Sequence, residues 1–401
     1  MPTRKDTVRL ITDEERRNRI ARRHAIAPQH RVSDAGAATR AMLALHATEP
    51  ATPYLSVFAR VAAFARGDLE DALTGSRTIM KQLAMRRTVF LFDRARLPQV
   101  LGGPSARVAQ QEGAKLRKDL EAHGITEDGQ AWLDRARAAV LDALADGREA
   151  SAKDLREQLP ELSGRIAVFQ DKPYAAVQHI APRTLSWMGA AGELVRGGND
   201  GTWRTNRHRW TRMDDWFGAP VEHTDTRAAY AGLVGAYLHA FGPVTETDLA
   251  WWFGATKRAI REALTDVAAK RVRLERDQIG WVLPGDDEPE PPVEPWAAVL
   301  PALDPTSLGW KQKDFYLPPD FYSSIFDWSG NCGTTAWWNG QIVGAYIQDD
   351  AGRVELMIGR DPGRDGRTAL QAQARRLDEW LDGTSINAAY KSPMTKLPAG
   401  T

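Results

Sequence analysis

The chain has 401 residues, 43% hydrophobic and 26% charged, with a formal net charge of +1. At roughly 150 residues per domain that length implies about two to four globular domains. A single cysteine, Cys332, excludes an internal disulfide framework and any multi-cysteine zinc or iron–sulfur site.

The start, MPTRKDTVRLITDEERRNRIARRH, lacks the apolar stretch of a signal peptide. No later run of about 18 apolar residues could span a bilayer, so a cytoplasmic protein with no membrane partner is expected. Residues 1–31 hold nine Lys/Arg against four Asp/Glu, a pattern read as a solvated helix face. DAGAATRAMLALHAT (34–48) follows Ser33 and reads as a capped helix that Pro50 stops, which puts His46 and Thr48 at a helix end. DLEDALTG is a short helix closed by Gly75. TIMKQLAMRRTVFLF runs from helical spacing into a β-rich end. These elements compose an N-terminal winged-helix-like domain, 1–103.

A second domain, 104–225, opens with AWLDRARAAVLDALADG, amphipathic and stopped at Gly147. Ser151 and Asp154 then make a capping-box start. After a loop, PRTLSWMGAAGELVRG is a further helix leading into a hairpin whose glycine-rich tip is 197–201. Three helices followed by a hairpin is the winged helix-turn-helix order. Arg204, Arg207, Arg209 and Arg212 on this wing interleave with Trp203, Trp210 and Asn206, a composition suited to DNA phosphates. The order of elements returns over 226–285: a helix ended by Gly242, one capped by Thr245, TKRAIREALTDVAAK, and two short strands. Lys257, Arg258 and Arg261 on that last helix, with Lys311 and Lys313 beyond it, are further phosphate-contact candidates. Residues 286–401 begin with an acidic, proline-rich linker, five acids in DDEPEPPVE, and continue into a β-rich domain. Its clearest signal is Asn339-Gly340 between two strands, the strongest two-residue hairpin turn. RTALQAQARRLDEWLDG is the last helix. The fold class is therefore α+β, with tandem winged helix-turn-helix units before a C-terminal β-rich domain.

The familiar catalytic signatures are absent: no G-x-x-x-x-G-K-[ST], H-E-x-x-H or G-x-S-x-G occurs. The eight histidines do not cluster at metal-ligand spacing, so neither a metal nor a cofactor is expected.

LHATEPATPYLSVFAR, MRRTVFLF, YLHAFGPVTETDLAWWFG, VLPALDPTSLGWKQKDFYL and FDWSGNCGTTAWWNGQIVGAY resemble, in order, winged-helix proteins of the AlkZ/YcaQ-like DNA glycosylase superfamily. The resemblance covers roughly 10–395. It implies a monomer that binds double-stranded DNA at the nucleoid and excises bulky N7- or N3-alkylated purines. Members that look similar carry Gln-x-Gln or Gln-x-Asp where this chain reads His46-Ala47-Thr48. A literal LQAQ at 370–373 lies far from that context, where Gln371 and Gln373 are ordinary helix formers. An alkylated purine is already cationic, so the enzyme needs mainly to hold a water and stabilise an oxocarbenium ion. His46 would accept the water's proton, Thr48 would orient the water, and Glu49 would offer negative charge. Two other readings stand beside this one. Both residues would equally satisfy carbonyls at a helix C-terminus. The protein as a whole would equally be a non-catalytic regulator that keeps the DNA-binding fold.

Overall fold

A short strand, β1 (Leu10–Ile11), precedes α1 (Asp13–Arg23), which is capped by the Thr12 hydroxyl accepting from the Glu15 amide. Asp13, Glu14 and Glu15 in its first turn and Arg22 and Arg23 in its last complement the helix dipole. The structure, a computed structural model, describes residues 8–168 and 176–396. Arg4 and Lys5 of the basic N-terminus lie outside the described residues, as does much of the loop expected before Pro182. Asp34 caps α2 (Ala35–Ala41), but the helix stops there, well short of His46. Leu43 takes φ 59° and turns the chain, after which β2 (Leu45–His46) is extended. Met42, Leu43, Ala44 and Leu45 are all buried, and four consecutive buried residues do not fit one face of a surface helix. α3 (Thr52–Arg60) carries Pro53 in its first turn, where a missing N–H is harmless, and all its residues are buried. α4 (Arg66–Glu70) follows.

Ile79–Leu83, read from sequence as helix, is strand β3, paired antiparallel with β4 (Val89–Asp93) from Ile79↔Asp93 to Leu83↔Val89. Positive φ at Arg86 and Arg87 makes the turn. Ile79, Met80, Gln82 and Leu83 are all buried, so the alternation that marks a half-buried strand is missing. Four helices follow: α5 (Leu97–Val100), α6 (Ala106–Ala122), α7 (Gly129–Ala143) and α8 (Ala152–Gln158), the last opened by the Ser151–Asp154 capping box. A hairpin of β5 (Arg165–Val168) and β6 (Ala176–His179) stands where a loop was expected. Then come α9 (Ala181–Ala190), β7 (Leu194–Asn199), β8 (His208–Arg212) and α10 (Met213–Phe217). Gly197 and Gly198 belong to β7, with a register shift between Arg196 and Asn199, so the hairpin tip is 200–207.

Three helices and a hairpin follow in the order read from sequence: α11 (Thr226–Phe241), α12 (Glu246–Phe253), α13 (Lys257–Asp266), β9 (Lys270–Leu274) and β10 (Gln278–Val282). β1 joins this hairpin as a parallel third strand, Leu10↔Arg273. The acidic segment after it is not a free linker. Asp286 pairs with Arg19 and Arg23 at 3.3 and 2.7 Å, and Glu290 pairs with Arg22 at 2.7 Å. The basic N-terminal helix and the acidic run therefore neutralise each other. β11 (Ala297–Leu300) is followed by the short α14 (Pro305–Leu308) and α15 (Tyr322–Ile325). β12 (Thr335–Trp338), β13 (Gln341–Gln348) and β14 (Val354–Ile358) complete a four-stranded antiparallel sheet in chain order. Asn339 and Gly340, at φ 46° and 78°, form its tight turn. α16 (Gly363–Leu381) packs on the sheet through Leu370 against Ala297, Ala336 and Val343. The fold is α+β. It comprises two compact units, one of residues 8–69 and 230–396, the other of 70–229.

Candidate active site and nucleic-acid interface

His46 ends β2 and is 7% exposed, Thr48 is exposed, and Glu49 is partly buried between them and α3. None of the three terminates a helix, which removes the end-carbonyl explanation for the pair at 46 and 48. The Glu49 carboxylate accepts from the backbone N–H groups of Ala389 and Tyr390. Burial nonetheless raises its pKa above the ordinary carboxylate value. Behind Glu49, Thr52, Ser56 and Arg60 follow at spacings of three, four and four, so they share one face of α3. Each meets the segment 302–306. The Thr52 hydroxyl donates to the Ala302 carbonyl at 3.0 Å, and Ser56 donates to Asp304 at 2.7 Å. Arg60 grips Asp304 bidentately, at 2.7 and 2.8 Å, with both side chains fully buried.

Burial alone would raise the Asp304 carboxyl. The Arg60 charge and the bonds from Arg60, Ser56 and the Thr306 amide outweigh it and hold the group below its ordinary value. Arg60 also donates to the Thr306 hydroxyl at 2.8 Å, which lies 2.9 Å from His24 Nδ1. The His24 ring stacks on Trp310 and meets Phe241 edge-on. Burial, reinforced by Arg60, pushes its pKa down to about 3, so it is neutral at pH 7. The segment from Glu49 onward thus rests on a buried polar ladder that fixes its geometry. Sequence reading missed this ladder. Its trace was there: three polar residues at helical spacing in an otherwise apolar helix, and an Asp-Pro-Thr helix start at 304–306.

The candidate DNA-contact residues divide by environment. Arg204 and Arg207 are exposed in the 200–207 tip. Arg209 is drawn to Asp200 at 3.1 Å and to the Glu149 carbonyl at 2.8 Å, and Arg212 lies 3.6 Å from Asp215. Lys257 and Arg258 are exposed on α13, where Arg258 pairs with Glu262 and Arg261 with Glu246, each at 2.9 Å. Lys311 is exposed, its backbone amide donating to Asp248. Lys313 is a correction. Its side chain is buried, its ammonium donates to the Trp310 carbonyl, and it lies 5.1 Å from the ring centroids of Trp251 and Phe326. Aromatic neighbours distant in sequence take it off the surface. Gln373 accepts from Arg31 at 2.6 Å, an ordinary structural bond. Among the described residues no cluster of three or more His, Cys, Asp or Glu could hold a metal ion. No helix there is long and apolar enough to cross a membrane.

The family model "DNA glycosylase AlkZ-like" matches residues 39–380, a span that takes in the 46–60 ladder, the β7–β8 hairpin and the 302–313 segment. The chain belongs to the AlkZ-like DNA glycosylase family. Among solved structures it is similar to Streptomyces sahachiroi DNA glycosylase AlkZ, with a TM-score of 0.71 over 92% of this chain and 97% of that one. The two sequences are 19% identical, so the likeness shows a shared fold. No curated protein matches the chain. AlkZ-like membership makes DNA the expected partner.

Proposed function

We propose that this AlkZ-like protein hydrolyses the N-glycosidic bond of N7- or N3-alkylated purines in duplex DNA, with His46 and Thr48 placing the attacking water. The supporting observation is that the family match spans a segment, 46–49, bonded through Glu49 to Ala389 and Tyr390 and continued by the ladder on α3. A glycosylase needs such rigidity because a water held in line with the anomeric carbon removes much of the entropic barrier. In the proposed step the water oxygen bonds to C1′ as the C1′–N bond breaks. Its electron pair returns to the alkylated purine, which leaves neutral, and the water's proton passes to the His46 imidazole. The Glu49 carboxylate supplies negative charge toward the oxocarbenium ion. Neither metal nor cofactor enters this scheme, and a monomer suffices for it. Residues 104–225 and 226–285 are assigned as winged helix-turn-helix units, with the hairpin after α9 as a wing on the phosphate backbone.

A second reading is favoured by the burial of His46 and by histidine and threonine standing where similar proteins carry glutamine or aspartate. It makes the chain a non-catalytic DNA-binding regulator. Duplexes containing N7-alkylguanine decide between them. Abasic sites formed in single turnover support the glycosylase, whereas intact glycosidic bonds in a tightly bound duplex support the regulator.

A further inference from the structure

The β7–β8 hairpin and the neighbouring strand β3 carry two cations beside a histidine held neutral, apart from the wing arginines. Arg196, on β7, pairs in register with Trp210 on β8 and lays its guanidinium over the indole, 4.5 Å from the ring centroid. His208 meets the same indole edge-on at 4.9 Å, with its Nδ1 3.2 Å from Asn206 Oδ1. Lys81 lies on β3, which packs against β7, the strand that carries Arg196. Lys81, Arg196 and His208 are partly buried, and all three belong to the unit of residues 70–229.

Burial and the cationic charges together lower Lys81 and the His208 ring. Burial, then Arg196, lowers Lys81 to about 8, and burial, then Arg196 and Lys81, lowers His208 to about 3. Arg196 itself falls to about 10 through burial. Among the described residues neither Lys81 nor Arg196 forms a salt bridge. Glu149, just before α8, accepts from the Gly198 amide at 2.8 Å, and Asp200 in the hairpin tip pairs with Arg209. The wing arginines 209 and 212 lie against acids, while Lys81 and Arg196 converge without one. Two partly desolvated cations on packed strands, neither in a salt bridge among the described residues, are an arrangement that an anion stabilises. The Trp210 face fixes the guanidinium plane and leaves its donors at the rim available to oxygen acceptors.

We propose that Lys81 and Arg196, the latter stacked on Trp210, form a phosphate-binding site that takes either a backbone phosphate of DNA or a free phosphate ion. The backbone arm rests on the DNA-binding reading above; the free-phosphate arm does not. Lys81 donates as a point charge and Arg196 through two parallel N–H groups, the geometry that phosphoryl oxygens favour.

The test uses the full-length protein, Lys81→Gln, Arg196→Gln and the charge-retaining Arg196→Lys, each checked for folding by its thermal transition. Each protein is titrated with inorganic phosphate by calorimetry, and with an undamaged duplex over a series of salt concentrations. The expected result is saturable phosphate binding that weakens about tenfold or more in both glutamine variants and less in Arg196→Lys. If the site holds a DNA phosphate, each glutamine variant also makes the logarithmic salt dependence of duplex affinity shallower by about one. Phosphate binding lost with the duplex slope unchanged assigns the site to the free ion. Wild type that binds no phosphate, together with folded Lys81→Gln and Arg196→Gln that keep the wild-type duplex slope, overturns the proposal. Should wild type bind no duplex at all, the DNA-binding reading fails, and the phosphate titration alone decides the site.

Discussion

His46 sits in extended chain against a buried interior, and Thr48 two residues on faces solvent. If His46 takes the water's proton, His46→Ala lowers single-turnover base release by about 10²–10⁴-fold, the range of general acid–base catalysis. Affinity for undamaged duplex stays near wild type, because the residue acts in the transition state rather than in docking. Thr48→Ala costs less, since it removes an orienting hydroxyl and leaves the base. Acid removes the charge of Glu49, whose pKa burial raises, so the rate falls on acidification. A rate indifferent to His46→Ala would remove His46 from the chemistry. The double change His46→Gln and Thr48→Gln separates a poor site from a poor scaffold. Base release by that variant alone would mark the natural protein as a binder.

At the scale of elements, α3 and the start of α14 are joined by a buried ion pair whose removal has a definite sign. Arg60→Met leaves the Asp304 carboxylate buried without its guanidinium, at a cost of about 3–5 kcal/mol in urea unfolding. Arg60→Met combined with Asp304→Asn restores neutrality and keeps the Ser56 and Thr306 bonds, so most of that loss returns. A double variant as unstable as the single one would show that packing, not the stranded charge, sets the cost. The β7–β8 hairpin gives a second contrast. Arg207→Ala shallows the salt dependence of duplex binding by about one, whereas Arg209→Ala changes it less, because Arg209 already lies against Asp200. Equal effects would place both guanidiniums on phosphates.

These elements also show what the sequence disclosed. Capped, strongly patterned pieces were legible: α8 from Ser151 and Asp154, the Asn339-Gly340 turn, and the α11 to β10 order. Elements buried on both sides were not, since β2 and β3 lack alternation. Partners far along the chain were invisible too. Nothing near Lys313 announces Trp251, and nothing near Asp286 announces Arg23.

The near-neutral net charge of the whole molecule conceals a segregated distribution, with α1 arginines against the 286–290 acids in one unit and exposed arginines at the 200–207 tip in the other. How stability responds to pH follows from groups buried out of this pattern, and His24 is the clearest. It brings α1, α11 and the Thr306–Trp310 stretch together, and burial holds its pKa near 3 against 6.5 for an exposed histidine. Between those two values the unfolded chain binds a proton there that the folded chain refuses. Unfolding is therefore favoured as pH falls from 6.5 toward 3, and above 6.5 the contribution is flat. The slope approaches about 1.4 kcal/mol per pH unit, or about 2 kcal/mol between pH 7 and pH 5. Carboxylates add their own pH dependence, so the comparison is between wild type and His24→Gln, which keeps a polar partner for Thr306 and does not titrate. The variant should be less stable at pH 7 through lost stacking, and its stability should fall less steeply between pH 6.5 and 5. NMR should show the His24 ring neutral down to about pH 4 while the protein stays folded. A ring that titrates near 6.5 in the folded state, or matching slopes in the two proteins, would remove His24 as the source of acid sensitivity.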